Sequence, residues 1–376
     1  MKIAYVALRG VPLSDGIVEY TDGIARRMVA KGHEVTVYTS KRYGNTNGLY
    51  DNCYQIRTVP SLKSQACEKI SLIFCASVAQ MFHEYDIVHF HGESGAIWSF
   101  TAPLSGKARI SQSHSIDYNR AKFGKFAKVV LRIIEKLSVK SNTPLLVVSN
   151  ELQKHFWDLY KKESVVIHNA VELVELREPD RDILEKYHVE KNGYYLYMAR
   201  ITREKGLHYL IHAFGKLETD KKLVIAGPLD ENDPYNKELI ELGKKDPRVK
   251  FVGFASGKDK ETLYQGAYAY CLPSESEGFS MALLEAMSYQ KCCIISNIPN
   301  NIEATGDCCI SFQTKDEESL YGALLLAENH EDLVRKTGAD ARERLAKNFT
   351  WDIVADQVEK LYIDTIENYK KRKKIK

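Results

Sequence analysis

The chain has 376 residues, of which 44% are hydrophobic and 27% charged, and its formal net charge is +3. This composition excludes a disordered chain, a collagen and a coiled-coil rod. The length suits two domains, and the nearly balanced charge excludes a protein that binds nucleic acid with its whole surface. The balance conceals two basic segments, since residues 101–150 carry nine basic and two acidic side chains and Lys370–Lys376 carries six basic and none acidic.

Neither the start of the chain nor its cysteines indicate export or metal binding. The apolar segment Lys2–Leu8 is too short for a signal peptide, and the longest apolar-biased stretch, Ile70–Phe82, has the length of a core helix rather than a membrane span. The eight cysteines show no zinc-type spacing, which favours reduced thiols. We therefore expect a cytoplasmic protein without a bound metal.

In the first half of the chain, short β-branched runs alternate with helical patterns. The predicted strands are Lys2–Leu8, Glu34–Thr39, Tyr54–Val59, Asp86–Phe90, Ala108–Gln112, Leu145–Ser149 and Val165–His168. The predicted helices include Val18–Lys31, Glu68–Phe82, Arg120–Lys140 and Glu151–Tyr160. This alternation indicates βαβ units and a parallel sheet that is covered on both faces.

The polar stretch Glu172–Asn192 interrupts the alternation and is predicted to connect two domains. The strand pattern then resumes at Tyr194–Ala199, Lys221–Ala226, Val249–Val252, Ala269–Leu272, Cys292–Ser296 and Cys308–Phe312. We predict an α/β protein with two tandem doubly wound Rossmann-like domains, residues 1–170 and 171–350, facing a central cleft. Ligands of such sheets bind beyond the carboxyl ends of the strands.

Two features of the first half follow predicted strands. Gly10 to Gly16 forms a glycine loop before a helix, where free N–H groups can bind an anion such as phosphate, although a simple tight turn explains it equally well. Its spacing matches neither a dinucleotide fingerprint nor a Walker loop. His114 follows a later strand in a polar loop and is a candidate site residue, whereas His89 and His91 lack a third metal ligand in the sequence.

The second half offers a sharper set of charged residues. Arg200 and Lys205 lie after a predicted strand, where two cations suit a diphosphate, although a solvated charged turn is the alternative. Glu277 and Glu285 are eight positions apart, which is on the order of 10–12 Å along a helix. That separation suits a long ligand with hydroxyl groups at both ends and a charged middle. The amides of Gly278–Phe279 can donate to ligand oxygens at the helix start.

Taken together, these residues resemble glycosyltransferase family 4, whose members are retaining nucleotide-sugar enzymes of the GT-B fold. The resemblance extends over nearly the whole chain. The matching motifs are Gly32-His33-Glu34-Val35, Val166–Val171, Arg200 with Lys205-Gly206, Ala226-Gly227, Pro273-Ser274, Glu277-x7-Glu285 and Phe349-Thr350-Trp351.

By that resemblance, Arg200 and Lys205 hold the diphosphate of a nucleotide-diphosphate sugar and offset the charge of the leaving group, so that neither a metal nor another cofactor is required. The resemblance also implies that Glu285 takes the ribose hydroxyl groups. Glu277 and Gly278–Phe279 are implied to bind the donor sugar, and Glu277 is counted among the catalytic residues.

The resemblance extends to the first domain. It implies that Gly16 lets the backbone approach the phosphate, that His114 contacts the sugar or phosphate near the reacting carbon, and that the last helix, predicted at Trp351–Tyr369, returns to the first domain. A narrower resemblance is to bacterial rhamnosyltransferase-like members. Asp15-Gly16 and Ser115 depart from that subgroup, which leaves the donor sugar open.

The implied function is the transfer of a sugar, with retention at its anomeric carbon, to a glycan or lipid-linked acceptor in cell-surface polysaccharide synthesis. Two alternatives remain open: a nucleotide-sugar epimerase of the same fold, and a catalytically silent regulatory partner of another transferase. Asp180-Arg181-Asp182 spells a metal-binding Asp-x-Asp, but it precedes a helical pattern, so charges at a helix N-terminus explain it better.

The first basic segment contains cations at helical spacing. They are Lys122, Lys125, Lys128, Arg132, Lys136 and Lys140. The spacing predicts one basic stripe opposite an apolar stripe that includes Phe126 and Ile133. With the Lys370–Lys376 tail, this stripe is either a solvated face or a surface that docks on an anionic membrane or a lipid-pyrophosphate acceptor. The second reading predicts a protein that is peripheral on the inner face of the membrane.

Overall fold

The computed structural model describes residues 1–12, 16–63, 65–116, 118, 124–141 and 143–375. The chain divides into two compact units. Unit 1 consists of Met1–Ala170 together with Trp351–Lys376, and unit 2 is Val171–Thr350. Each unit is an α/β domain built on a mainly parallel sheet, so the predicted pair of Rossmann-like domains is confirmed.

Unit 1 carries eight strands in one sheet of the described residues. They are β1 Lys2–Leu8, β2 Glu34–Ser40, β3 Gly48–Tyr50, β4 Tyr54–Val59, β5 Ile87–His91, β6 Ala108–Ser113, β7 Leu145–Val147 and β8 Val165–Val166. The helices up to residue 170 are α1 Gly16–Ala30, α2 Gln65–Ala79, α3 Gly92–Ile97, α4 Thr101–Leu104, α5 Lys125–Lys140 and α6 Asn150–Tyr160.

The strand order of unit 1 is β3-β4-β2-β1-β5-β6-β7-β8. Neighbouring strands run parallel except β3, which pairs antiparallel with β4. The sequence did not predict β3, because it has only three residues at the edge of the sheet and none of them is buried. The central strands are buried on both faces, as parallel sheets require.

Unit 2 repeats this plan with six strands. They are β9 Tyr194–Met198, β10 Lys222–Ala226, β11 Val249–Gly253, β12 Ala269–Leu272, β13 Cys292–Ser296 and β14 Ile310–Phe312. The helices are α7 Arg181–Lys186, α8 Leu207–Gly215, α9 Pro234–Gly243, α10 Gly257–Gly266, α11 Met281–Ser288, α12 Pro299–Thr305, α13 Glu317–Asn329 and α14 Glu331–Asn348.

The strand order of unit 2 is β11-β10-β9-β12-β13-β14, and all pairs are parallel. The chain winds outwards in one direction from β9 and in the other from β12. These two strands are neighbours, so the loops that leave their carboxyl ends diverge and open a crevice between them. The equivalent neighbours in unit 1 are β1 and β5.

Helix starts in both units are set by short polar side chains that accept a hydrogen bond from the first turn. Ser149 accepts from Leu152 N at 3.3 Å, and Asp180 accepts from Asp182 N at 3.0 Å. Asp180 also forms an ion pair with Lys258. The Asp-x-Asp sequence is therefore the cap of α7, as its position before a helical pattern predicted.

The last helix, α15 Trp351–Ile375, belongs to unit 1. Tyr362 is fully buried, its hydroxyl lies 2.6 Å from His89 Nδ1, and it donates to the Tyr5 hydroxyl at 3.1 Å. At the start of the helix, Trp351 packs against α1, where a Cβ on Gly23 would lie 2.4 Å from the indole ring. The predicted return of the last helix to the first domain is thus confirmed.

The segment predicted as a linker is part of unit 2 rather than a free connection. Ser288 Oγ donates to Glu172 O at 2.6 Å and accepts from Val174 N at 2.9 Å, and Arg342 donates to Val174 O at 2.7 Å. No helix among the described residues is long and apolar enough to cross a membrane.

Candidate functional site

The site in unit 2 is built from the loops that follow β9 and β12. After β9 the chain runs through Arg200, makes a 3-10 turn over Arg203–Lys205 and enters α8. After β12 it runs through Pro273 to Glu277 and enters α11. The two loops are joined directly, because Glu275 N donates to Glu204 O at 2.8 Å.

Gly206 allows this close approach of the two loops. Its φ is +66°, a conformation that strains residues with a Cβ, and a Cβ at this position would lie 2.1 Å from the carbonyl oxygen of Pro273. Only glycine fits here. The sequence motif Lys205-Gly206 therefore reflects packing of one site loop against the other as well as charge.

Lys205 and Glu277 form an ion pair at the centre of the site. Lys205 Nζ lies 2.5 Å from Glu277 Oε1, and their side chains are only 11% and 8% exposed. Ser274 Oγ donates to the same oxygen at 2.6 Å. Oε2 of Glu277 accepts no hydrogen bond from the described residues, so this oxygen can accept from a ligand hydroxyl group.

The backbone after Glu277 is held by a buried asparagine. Asn300 Nδ2, at the start of α12, donates to Glu277 O at 2.6 Å and to Gly278 O at 2.5 Å. Phe279 is buried, with its ring edge-on to Phe349 at 5.3 Å between centroids. It follows that Phe279 fixes the loop through its side chain, and only its backbone can serve a ligand.

Glu285 lies on α11, the helix that follows the loop of Glu277. Lys260 Nζ is 2.5 Å from Glu285 Oε1, and the Tyr264 hydroxyl donates to Oε2 at 3.2 Å. Burial, reinforced by the charge of Glu285, raises the pKa of Tyr264 well above its usual value, so its hydroxyl stays protonated. A carboxylate has about four acceptor positions, so Glu285 can still bind hydroxyl groups.

Arg200 is exposed, and its guanidinium makes no hydrogen bond or ion pair with any residue the structure describes. Its backbone is fixed, because the buried Tyr197 hydroxyl donates to Arg200 O at 2.9 Å. A permanent cation that is anchored at its backbone and unpaired at its head is suited to an anionic ligand. Its neighbour Arg203, by contrast, pairs with Glu238 and stacks on Tyr235.

In unit 1, His114 lies just beyond β6 and contacts His91 at the end of β5. His91 Nδ1 and His114 Nε2 are 3.1 Å apart, and His91 Nε2 lies 3.1 Å from Thr21 Oγ1. Thr21 already donates its hydroxyl proton to Ile17 O, so His91 Nε2 must carry the proton of the second contact. Burial and the charge of His114 lower the pKa of His91 well below its usual value.

These contacts determine which group donates in each hydrogen bond from His114 through His91 to Thr21. Neutral His91 donates from Nε2, so its Nδ1 is an acceptor and His114 must donate from Nε2. The two histidine rings are 5.3 Å apart, and Tyr20 lies edge-on to His114 at 5.5 Å. His91 is therefore the residue that orients His114.

The predicted glycine loop is only partly described, because residues 13–15 lie outside the described residues. Gly16 is exposed at the start of α1, and a Cβ there would meet nothing within 4 Å. Gly10 is the sterically required glycine, since its Cβ would lie 2.6 Å from Tyr43 Cβ. Asn45 secures the loop by exchanging two hydrogen bonds with the backbone of Val11.

The structure therefore joins Lys205 directly to Glu277 and places Gly278–Phe279 beside them, whereas Glu285 has its own partner in Lys260. Among the described residues, no three His, Cys, Asp or Glu side chains are arranged to hold a metal ion. Ser274 was noticed in the sequence only as part of a motif. Asn300, Lys260 and Thr21 gave no sequence signal, because their importance comes from contacts distant in the chain.

Two Rossmann-like units, one with cations and carboxylates at the carboxyl ends of neighbouring strands, form the arrangement that the resemblance to GT-B glycosyltransferases predicts. Comparison with known proteins identifies the family. Residues 14–175 match the model of Glycosyltransferase Family 4, and residues 180–344 match that of Glycosyl transferases group 1. The chain belongs to the family 4-type glycosyltransferases.

Three curated relatives are similar at low identity. An uncharacterised glycosyltransferase of Methanocaldococcus jannaschii is 26% identical over 81% of this chain and 82% of its own. The O-antigen chain mannosyltransferase B of Escherichia coli is 26% identical over 48% of each chain. A UDP-Gal:α-D-GlcNAc-diphosphoundecaprenol α-1,3-galactosyltransferase of Escherichia coli is 25% identical over 98% of each chain. The narrower resemblance to rhamnosyltransferases is not confirmed by them.

Solved structures share the fold over nearly the whole chain. Sucrose-phosphate synthase from Thermosynechococcus elongatus superposes with a TM-score of 0.84 at 17% identity, over 98% of this chain and 99% of that one. HepE of Anabaena, solved in complex with UDP and glucose, superposes with a TM-score of 0.77 at 17% identity, over 97% and 100%. The fold is that of GT-B glycosyltransferases.

Proposed function

We propose that the protein is a metal-independent retaining glycosyltransferase that moves a hexose from a nucleotide-diphosphate sugar to a glycan or lipid-linked acceptor in polysaccharide synthesis. The relatives that act in O-antigen synthesis or on a diphosphoundecaprenol-linked sugar support this acceptor class. The structure of HepE with UDP and glucose supports the donor class. In this proposal the protein works at the inner face of the membrane as a peripheral protein.

One observation carries the proposal: Arg200, whose guanidinium has no partner among the residues that the structure describes, lies in the same loop as Lys205, whose amine is held by Glu277. Two cations at the carboxyl end of a parallel sheet can neutralise a diphosphate without a metal ion. Glu277 then accepts hydroxyl groups of the donor sugar through Oε2, and Gly278–Phe279 offers backbone groups. Glu285 accepts the ribose hydroxyl groups.

In the proposed reaction, the bond between the anomeric carbon and the diphosphate oxygen breaks, and its electron pair stays on the diphosphate. The acceptor oxygen bonds to the same face of the carbon and passes its proton to the leaving phosphate oxygen. Arg200 and Lys205 stabilise the charge that develops on that oxygen. His114 is proposed as the residue of unit 1 that contacts the sugar or phosphate near the reacting carbon, with its Nε2 proton committed to His91.

Arg200→Ala tests the proposal without disturbing the fold, because the guanidinium is exposed and unpaired among the described residues. We expect kcat for donor hydrolysis or transfer to fall by about 100-fold or more, as for the loss of a single charge-stabilising donor. Arg203→Ala is the matched control, since Arg203 lies in the same loop but is occupied by Glu238. Donor identity is sought with a panel of nucleotide-diphosphate sugars.

Three results would overturn parts of the proposal. Equal activity of Arg200→Ala and Arg203→Ala would contradict the assignment of Arg200 to the diphosphate. Loss of activity in EDTA would contradict metal independence, and inversion of the anomeric signal in early NMR spectra of the product would contradict retention. Lys205 is better tested as Lys205→Met with Glu277→Gln, because removing one partner leaves the other buried and charged.

A further inference from the structure

Helix α5 carries its large apolar side chains on the outside of unit 1. Phe126 is 82% exposed, and Val129, Val130, Ile133 and Leu137 are also exposed. Phe126, Val130, Ile133 and Leu137 recur at steps of four and three residues, which places them in one stripe along the helix. In a helix of a soluble protein such a stripe normally faces the core, so its outward direction on α5 requires an explanation.

The two buried residues of α5 are polar, although Leu131 and Ile134 beside them are half-buried. Glu135 and Ser138 are the buried residues of the helix. Glu135 Oε1 accepts from the Tyr160 hydroxyl at 2.7 Å and lies 3.1 Å from His155 Nε2 on α6. These contacts fix the rotation of the helix, because turning the apolar stripe inwards would leave a buried carboxylate without its partners.

The basic side chains of α5 lie beside the apolar stripe and not opposite it, which corrects the sequence-based prediction. Lys125, Arg132, Lys136 and Lys140 are exposed, whereas Lys128 is half-buried and Lys122 lies outside the described residues. At about 100° per residue, the centre of the basic stripe is roughly 100° from the centre of the apolar stripe. Both stripes therefore face solvent together.

The basic tail of α15 lies near the C-terminal end of α5. Arg109 Nη2 donates to Ser141 O, directly after α5, at 2.7 Å, and the same arginine interacts electrostatically with Tyr369. Tyr369 donates to Pro103 O at 3.4 Å. The described part of the tail that follows, Lys370–Ile375, is exposed. Both basic segments of the sequence thus belong to unit 1.

The geometry points to α5 as an interfacial helix that docks unit 1 on an anionic lipid bilayer. Its apolar stripe enters the boundary between headgroups and acyl chains, and its basic stripe, with the α15 tail, contacts anionic headgroups. The helix has 16 residues and lies in the membrane plane. This inference rests on the peripheral location in the proposed function and assigns it to particular residues.

A second copy of the chain suits this face less well than a bilayer. A two-fold symmetric contact would place the same patch against itself. The basic stripe would then meet a second basic stripe, and the one acidic residue of α5, Glu135, is already buried against α6. An anionic surface has the complementary charge.

Phe126→Ser with Ile133→Ser tests the apolar stripe in the full-length protein. We expect partition onto phosphatidylcholine vesicles containing phosphatidylglycerol to fall by about tenfold or more, because two inserted side chains lose their apolar contact. Phe82→Ser is the matched control, since Phe82 is 79% exposed in the same unit but lies outside α5. Its partition is expected to stay within about twofold of the wild type.

Lys125→Gln with Lys136→Gln tests the basic stripe. Each neutralised cation is expected to lower partition by roughly fivefold on anionic vesicles and to leave the weaker binding to pure phosphatidylcholine unchanged. Lys41→Gln with Lys63→Gln removes the same charge from exposed positions elsewhere in unit 1 and is expected to have a smaller effect. Thermal unfolding of each variant verifies that the fold is kept.

Equal partition of the wild type onto anionic and neutral vesicles, or wild-type partition of Phe126→Ser with Ile133→Ser, would overturn the inference. A wild-type dimer in solution that this variant abolishes would also overturn it, in favour of a second copy. Donor hydrolysis in solution is measured in parallel. If the wild type hydrolyses donor normally but does not bind vesicles, only this inference is contradicted. If it binds vesicles but does not hydrolyse any donor, only the proposed function is contradicted.

Discussion

At the level of single residues, the ion pair of Lys205 and Glu277 joins two residues that belong to separate motifs in the sequence. The proposed function assigns the diphosphate to Lys205 and the donor sugar to Glu277, and in the structure the two side chains meet at 2.5 Å. Because both are nearly buried, removing one charge is expected to cost about 3–5 kcal/mol of stability. A substitution of either of these proposed ligand-binding residues is therefore expected to change stability as well as activity.

The residue types of the site could be predicted from sequence, because charged side chains directly after strands of a parallel sheet mark its ligand-binding edge. Their partners could not. Asn300 holds the backbone of Glu277 and Gly278 from a different helix, and Lys260 reaches Glu285 from α10. Such contacts depend on the relative placement of loops, which a periodic pattern does not contain.

The histidines of unit 1 predict a pH dependence of stability. Burial keeps the pKa of His89 and that of His91 well below the usual value near 6.5. The neighbouring His91 lowers the pKa of His89 further, and His114 does the same for His91. In the unfolded chain both take up a proton as the pH falls through that usual value, so the unfolded state binds more protons there. The free energy of unfolding is expected to decrease progressively below about pH 6.5.

His91→Asn should reduce this dependence, although it also lowers stability at neutral pH by breaking the contacts to Thr21 and His114. The free energy of unfolding is measured in urea at several values between about pH 7 and 5. His188→Asn is the control, because His188 is exposed at a positive φ that asparagine tolerates. Parallel curves for wild type and His91→Asn would contradict the assignment.

At the scale of elements, the site depends on loops that touch at a glycine. Gly206→Ala is expected to lower the free energy of unfolding by about 2 kcal/mol or more, since it adds a Cβ at a positive φ and against the Pro273 carbonyl. Activity should fall as well, because Pro273 leads into the loop of Glu277. Chemical denaturation and donor hydrolysis measure the two effects.

The matched control for this substitution is Gly215→Ala, at the other end of α8, the helix that Gly206 precedes. Gly215 ends α8 with an ordinary φ, and a Cβ there meets nothing within 4 Å. We expect unchanged or slightly raised stability, by up to about 1 kcal/mol, because alanine restricts the unfolded chain more than glycine does. Equal destabilisation by both substitutions would show that the contact with Pro273 is unimportant.

Elements differ in how far the sequence determines them. The alternation of apolar runs and helical patterns was enough to predict the parallel strands, whereas the edge strand β3 was too short to leave a pattern. The amphipathic character of α5 was visible, but its rotation was not. That rotation depends on Glu135 finding partners on α6, a contact between helices that are separate in the sequence.

At the scale of the whole molecule, α15 completes unit 1 from the far end of the chain. Tyr362→Ala is expected to destabilise unit 1 by about 3–5 kcal/mol, because a large buried ring and its hydrogen bonds to His89 and Tyr5 are removed. Hydrogen exchange should then increase in peptides of unit 1 and stay unchanged in unit 2. The exchange is followed by mass spectrometry in the full-length protein.

Ile363→Ala serves as the control, because Ile363 is the next residue of α15 and its side chain is 43% exposed. Its effect is expected to be below about 1 kcal/mol. Faster exchange spread evenly over both units of Tyr362→Ala would mean that the two units unfold together. Exchange confined to the C-terminal helix itself would mean that the sheet of unit 1 is stable without it.

The position of α15 also has a consequence for how the protein is made. A ribosome releases the chain from its N-terminus, and domains generally fold as they emerge. All of Val171–Thr350 has been synthesised before Trp351 is added. All residues of unit 2 are thus available for folding before α15 has been synthesised. The strands of unit 1 are made first, but this unit still lacks α15 at that stage. The domain that is made first is therefore completed after the second one, and until α15 has emerged the apolar surface that this helix covers stays exposed to solvent.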